Sequence, residues 1–281
     1  MQQFILSAFT DEASPMLDTQ IEVMQEHGIR YLEARAVDMQ NISDLTLEKA
    51  REMKQKMDEA GLAVWSLGSP IGKIPVNDDF AAHMEKLRHT LEVGHILDTK
   101  HIRLFSFYMD PDQYDASRSK VIDQLGQMAE LCVAEGILPC HENEKGIYGD
   151  IPERCVELHE AIPALRAVYD PANFVQGGAD PVAAWNMLAK YVEYVHIKDA
   201  DASGANVPAG TGIGQIPTIL EAYAAQGGQV LTLEPHLWAF EGLKALERSG
   251  EDGNVQNRAA TAKAAFALGV SSLRQLIDNM K

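Results

Sequence analysis

Short apolar runs alternate with longer amphipathic stretches from one end of this chain to the other, and no polar or low-complexity linker interrupts them. That pattern belongs to repeated βα units feeding a parallel sheet, whose strands are buried on both faces and read as nearly continuous apolar runs. Eight strands are expected: FILSAFT from Phe4, YLEARAV from Tyr31, AVWSLGS from Ala63, HIRLFSF from His101, ILPCHEN from Ile137, LRAVYDP from Leu165, VEYVHIKD from Val192 and QVLTLEP from Gln229. Eight such units favour closure into a (β/α)8 TIM barrel over an open doubly wound sheet, and no GxGxxG follows the first strand to mark a dinucleotide site.

The stretches between them carry helical spacing. In LTLEKAREMKQKMDEAG, Leu45, Leu47, Ala50, Met53 and Met57 approximate one helical face and Gly61 supplies the stop. Glycine recurs in this role before the strands, with Gly28, Gly61, Gly136 and Gly228 each ending a helix just ahead of an apolar run. At 281 residues the chain is close to the roughly 250 residues typical of such a barrel, so residues 1–281 are expected to form a single TIM-barrel domain.

Composition narrows the partners. With 24 basic against 41 acidic residues and a formal net charge of -17, the chain repels polyphosphate backbones, which are bound mainly through Lys and Arg. Nucleic acid is therefore excluded as a partner. Cys132, Cys140 and Cys155 are odd in number, form no CxxC pair and sit among apolar residues, as packed thiols of a reducing compartment do. The start MQQFILSAFTDE has no basic leader and too short an apolar run for a signal peptide or a membrane span. A cytoplasmic protein with no membrane partner is expected, and a homo-oligomer is compatible with all of this.

In a barrel of this kind, chemistry sits at the carboxyl ends of the strands. Four consecutive strands of the second half end in metal-competent groups: Glu142 in LPCHENEKG, Asp170 in AVYDPANF, His196 in EYVHIKDA and Glu234 in LTLEPHL. Alternation puts Leu138, Cys140 and Glu142 on one face, Val168 and Asp170 on one face, and Thr232 and Glu234 on one face. One such residue alone is commonly a helix cap or a satisfied core group. Three converging carboxylates, however, would each cost several kcal/mol if unpaired and would repel one another. One divalent cation removes both problems, and three carboxylates with one imidazole suit Mn, Mg, Co or Zn.

This set, placed on strands five to eight, resembles that of the xylose isomerase-like barrel superfamily, and within it the sugar phosphate isomerase/epimerase group. The segments GSPIGK, IRLFSFY, HENEKGIYGD, YDPANF and VHIKDA extend the resemblance over essentially the whole chain. The resemblance implies that Glu142, Asp170, His196 and Glu234 are the metal ligands and that Glu142 and Glu234 also face the substrate from opposite sides and transfer protons. Glu144, which shares the face of Glu142, is the rival for its role, and the family pattern prefers Glu142. The physical logic agrees, because taking a proton next to a carbonyl needs a base and a Lewis acid to hold the enolate oxygen.

Supporting residues follow from position. Asn173 is either a substrate contact or a turn residue after Pro171. Lys198, two residues after His196, points toward the mouth, where an ammonium could hold a hydroxyl, phosphate or carboxylate; a solvated strand-end lysine is the alternative. Glu33 and Arg35 on strand two and Arg103 on strand four read as groups on the substrate side or behind the ligands, with a salt bridge inside the barrel as the competing account. The loop PAGTGIGQI could take a phosphate on its backbone N–H groups, although Thr211 stands where relatives often carry an acid. Trp65, Trp238, Phe9, Phe105 and Phe107 are candidates for pocket walls or for core.

The expected activity is metal-dependent isomerisation or epimerisation of a small sugar or sugar phosphate through an enediolate. A polyol-ketone dehydratase would share the first proton abstraction and then expel a hydroxyl. An endonuclease relative would need extra histidines on the early strands and a basic groove, whereas strands one to three offer no histidine at their ends and the net charge is strongly negative. A non-catalytic sugar-binding barrel would not need a base on both faces of its ligand.

Overall fold

A computed structural model describes residues 4–240 and 255–280 of the chain. The eight expected strands are all formed, as β1 (Ile5–Ala8), β2 (Tyr31–Ala34), β3 (Ala63–Leu67), β4 (His101–Leu104), β5 (Leu138–Glu142), β6 (Arg166–Tyr169), β7 (Val192–Ile197) and β8 (Val230–Leu233). Each pairs in parallel with its sequence neighbour, and β8 pairs with β1 to close the barrel. This closure confirms the (β/α)8 barrel. Helices α1 (Leu17–Glu26), α2 (Leu47–Glu59), α3 (Phe80–Ile96), α4 (Tyr114–Ala134), α5 (Pro152–Ala161), α6 (Pro171–Gln176), α7 (Pro181–Leu188), α8 (Ile216–Ala225) and α9 (Ala262–Asn279) follow the strands. Among the described residues no helix is long and apolar enough to cross a membrane.

The helix stops are mostly where the sequence puts them. Gly28, Gly61 and Gly136 adopt left-handed φ values of 56°, 71° and 70° directly after α1, α2 and α4, a conformation that costs glycine nothing. Ahead of β8 the left-handed residue is instead Gly227, at φ 89°. Gly228 is needed for space, since a Cβ there would meet the Tyr223 ring at 2.0 Å. Helix α2 begins two residues later than its apolar spacing suggests, because Thr46 accepts from the Lys49 N–H and caps it; Leu45 is buried just outside. Strand β2 likewise ends early, and Ala36–Val37 turns back on Gln40–Asn41 as a small antiparallel hairpin.

The barrel interior is divided by polarity. At the amino end Cys140, Val168, Tyr194 and Val230 pack with Ile5, Trp65 and Leu138. Trp65 stacks on His101 at 4.1 Å and lines a cleft of about 460 Å³ with Glu193, Tyr223 and Gln229. It therefore sits at the closed, amino end and does not wall the mouth. Two register shifts interrupt the barrel. Pairing of β2 with β3 jumps from Leu32–Val64 to Glu33–Ser66, and pairing of β6 with β7 jumps from Ala167–Val192 to Val168–Tyr194. Cys132, Cys140 and Cys155 are all free and buried.

Candidate metal centre

The carboxyl end of the barrel is polar and buried. Glu142 closes β5, Asp170 follows β6, His196 ends the inward-facing part of β7 and Glu234 follows β8, so four adjacent strands deliver one group each. Ligand-capable atoms of these four residues all lie within 4.8 Å of one another. Opposite ligands of an ion with bonds near 2.1 Å are about 4.2 Å apart, so the spacing and the hard, oxygen-rich donor set both fit a divalent cation. Residues Glu12, Glu234 and His236 also converge within 4.8 Å. Arg35 already lies against that second group, 3.4 Å from Glu12 Oε1 and 2.8 Å from Glu234 Oε1.

The two glutamates are arranged alike. Glu142 turns Oε1 toward His196 Nδ1 at 3.0 Å and Oε2 toward Arg103 Nη1 at 3.0 Å. Glu234 turns Oε2 toward the same His196 nitrogen at 3.2 Å and Oε1 toward Arg35 Nη1 at 2.8 Å. Each thus has one oxygen in the cluster and one in the grip of an arginine. Arg103 is fixed by donating to the Gly68 carbonyl at 3.0 Å, and Arg35 by Asp11 at 2.8 and 3.0 Å. Phe9 lies under both guanidinium groups, at 4.4 and 5.0 Å, with its ring edge-on to His196.

Asp170 divides its two oxygens as well. Oδ1 accepts from the Asn173 N–H and caps α6, whereas Oδ2 faces Lys198 Nζ at 2.8 Å. The cap and the inward-facing group anticipated as rival roles are therefore held by different oxygens of one side chain. Asn143 ties the loops together by exchanging two bonds with the Asp170 backbone. Asn173 donates Nδ2 to Asn143 O at 2.8 Å and approaches Glu142 Oε1 at 3.4 Å. Glu144 points away from the cluster to Lys73 at 2.7 Å.

Electrostatics follow from this packing. Burial opposes ionisation of Glu142, but the charges of His196 and Arg103 hold its carboxyl at about 2. Burial also opposes the ionised form of Glu234, which Lys198 and His196 hold well below the usual range. For Asp170 burial prevails over Lys198 and raises the carboxyl to about 6. Lys198 stays charged despite its burial because Asp170 and Glu234 face it. His196 is raised well above its ordinary value against burial by Glu142 and Glu33. Glu12 is pushed up to about 8, chiefly by burial.

Glu33 lies on the far side of His196, with Oε2 at 3.1 Å from Nε2 and Oε1 accepting from the Tyr194 hydroxyl at 2.8 Å. The glycine loop does cradle an anion on its backbone, but the anion is the chain's own. The Asp199 carboxylate accepts from Ala200, Gly210, Gly212 and Gly214 N–H at 2.8–3.0 Å. Those amides are not available to a substrate phosphate. Phe105 carries Lys73 and Arg103 over its ring, while Phe107 packs against Phe80 in the core. Sequence reading passed over Asp11, Glu12, Tyr194 and His236. His236 is two residues past Glu234, and Asp11 and Glu12 directly follow the first apolar run, so position alone could have flagged them.

A family model described as xylose isomerase-like TIM barrel matches residues 21–249. No curated protein sequence matches the chain. Solved structures similar to it include a probable 3-DHS dehydratase from Bacillus anthracis, with TM-score 0.73 at 17% identity over 98% of this chain and 99% of that one. The IOLI protein with a bound zinc atom has TM-score 0.75 at 14% identity, covering 100% and 99%. A D-psicose 3-epimerase from Clostridium cellulolyticum H10 has TM-score 0.73 at 14% identity, covering 100% of both.

Proposed function

The chain belongs to the xylose isomerase-like TIM barrel family, and from that premise we propose that it is a divalent-metal-dependent isomerase or epimerase of a small sugar or sugar phosphate. The observation that carries this reading is the cluster of Glu142, Asp170, His196 and Glu234, in which both glutamates keep one oxygen outside the cluster. An ion bound by these four groups would polarise a carbonyl or hydroxyl oxygen of the substrate. Glu142 takes or gives the proton at one face of the carbon next to the carbonyl and Glu234 does so at the other, passing through an enediolate. Arg103 and Arg35 aim the outer oxygens and limit how basic they become. Lys198, Asn173, Arg35 and Arg103 would supply the polar contacts that orient the substrate, with Phe9 as an apolar floor.

The names of the similar structures, an epimerase, a dehydratase and a zinc-bound protein, are consistent with this chemistry. The test is to incubate the protein, loaded in turn with Mn, Mg, Co or Zn, with ketoses, their phosphates and polyhydroxy ketones in deuterated water. Metal-dependent appearance of deuterium at the carbon next to the carbonyl, with the product isomeric to the substrate, supports the reading. A product with the ultraviolet absorption of an enone makes the protein a dehydratase, and no exchange on any of them returns it to a binding barrel.

A further inference from the structure

We propose that Glu33 is a positioning residue for His196, the end of a buried hydrogen-bonded chain from Ser66 through Tyr194 that fixes which ring nitrogen faces the metal. The inference rests on the metal reading above and assigns Glu33 a place behind the ligands, where its sequence position had also allowed a substrate contact.

Glu33 and the His196 side chain are both fully buried. A carboxylate offers only lone pairs, so its two oxygens must both be met by donors. The Tyr194 hydroxyl donates to Oε1 at 2.8 Å and His196 Nε2 lies 3.1 Å from Oε2. Because the Tyr194 proton is committed to Glu33, the 3.2 Å contact between Tyr194 Oη and Ser66 Oγ is donated by the serine. The chain therefore has one direction: Ser66 to Tyr194, Tyr194 to Glu33, and His196 Nε2–H to Glu33. That direction keeps a proton on Nε2, so Nδ1, which faces the carboxylates of Glu142 and Glu234, is the nitrogen that would give up its own proton to take a metal. Metal-binding histidines are commonly held in this way by an outer carboxylate.

The backbone is shaped for this chain. The register shift between β2 and β3 sets Glu33 opposite Ser66, and the shift between β6 and β7 falls at Tyr194. Bulges of this kind re-aim side chains, and here both fall on members of the chain. Stability alone does not require it, since a buried carboxylate is expensive and an apolar residue of similar size would fill the space.

The experiment titrates the metal-stripped full chain with Zn²⁺ by calorimetry and reads the His196 ring nitrogens by ¹⁵N NMR, for the wild type, Glu33→Gln and Tyr194→Phe. The wild type should bind one Zn²⁺ with the ring protonated at Nε2. Glu33→Gln should weaken Zn²⁺ binding about 10–100-fold, while its melting temperature stays near the wild-type value. Tyr194→Phe, which leaves the carboxylate but removes one of its donors, should weaken binding less and broaden or shift the His196 signals. Wild-type affinity and wild-type ring signals in both variants would overturn the inference while leaving the metal reading intact. If Glu33→Gln does not fold, Tyr194→Phe decides by the same criterion. No Zn²⁺ binding by the wild type would remove the metal reading and this inference with it.

Discussion

Arg35 donates to Glu234 Oε1 at 2.8 Å while its guanidinium is clamped between the rings of Phe9 and Phe240 at 4.4 and 4.5 Å. The same group meets Asp11 and Glu12, so one buried cation faces three acidic side chains. Arg35→Met should lower the unfolding free energy by about 3–5 kcal/mol, the scale for breaking a buried pair and stranding its partner. Arg35→Lys should recover part of it, because an ammonium keeps the charge but not the fork. Denaturant titration checks this, and a methionine variant as stable as the wild type would mean that the acids are neutral without Arg35.

The purified wild type should retain about one divalent ion per chain, since Arg35 already neutralises the second acidic group. Asp170→Asn is the informative ligand variant: asparagine still caps α6, so the helix is kept while one charged donor is lost. Elemental analysis after gel filtration should show less metal in Asp170→Asn and least in His196→Ala. Two or three ions per wild-type chain would show that Arg35 does not close the second group.

The division between what these side chains do and what the sequence disclosed is uneven. All eight strands were legible because parallel barrel strands are apolar runs of fixed length, and Glu142, Asp170, His196 and Glu234 because each interrupts such a run at its carboxyl end. Glu142 lies in the cluster, whereas Glu144, on the same face in sequence, turns to Lys73. Partnerships across the barrel were not legible. Arg35 and Glu234 are 199 positions apart, and Glu33 and His196 are 163 apart; nothing local records that they meet. The glycine loop misled for a related reason, because its amides do gather round an anion and that anion, Asp199, stands on the preceding strand end.

Lys198 lies 2.8 Å from Asp170 and 3.5 Å from Glu234, so it is a counter-charge as well as a proposed substrate contact. The two roles separate in Lys198→Met. If it meets substrate, the variant should keep its metal and its fold yet show a raised KM or a turnover lower by about tenfold or more, the value of one charge-assisted hydrogen bond. Unchanged kinetics on the identified substrate would leave Lys198 as a counter-charge alone.

A pH effect on stability is expected away from the centre. His83 Nε2 accepts from the Gly72 N–H at 2.8 Å, which requires the nitrogen to be unprotonated. Burial, helped by nearby Lys86, lowers His83 from 6.5 to about 4 against the pull of Asp78. Between those values the unfolded chain takes up a proton that the folded one refuses, so this contribution is intact above about pH 6.5 and is lost as the pH falls toward 4. His159, also lowered to about 4 by burial, acts in the same window. Melting temperatures at pH 7 and pH 5 should therefore differ less in His83→Gln than in the wild type, and parallel curves would refute the assignment.

Glu142 and Glu234 should behave as a pair. Each has one oxygen toward His196 and the other under an arginine, so Gln at either position keeps the volume and one oxygen donor while removing the base. We expect Glu142→Gln and Glu234→Gln to fold and hold metal, and to lose about 10²-fold or more in turnover, the usual scale for general acid/base work. The two should differ in which proton they lose. With a substrate that can be followed from both directions, one variant should fail to exchange solvent deuterium into the starting isomer and the other into the product, because each glutamate serves one face. Loss of metal alone would depress both exchanges equally. If both variants hold metal and exchange at the wild-type rate in both directions, the proton is carried by another group, and Glu12, whose carboxyl is pushed up to about 8 beside Glu234, is the next to replace.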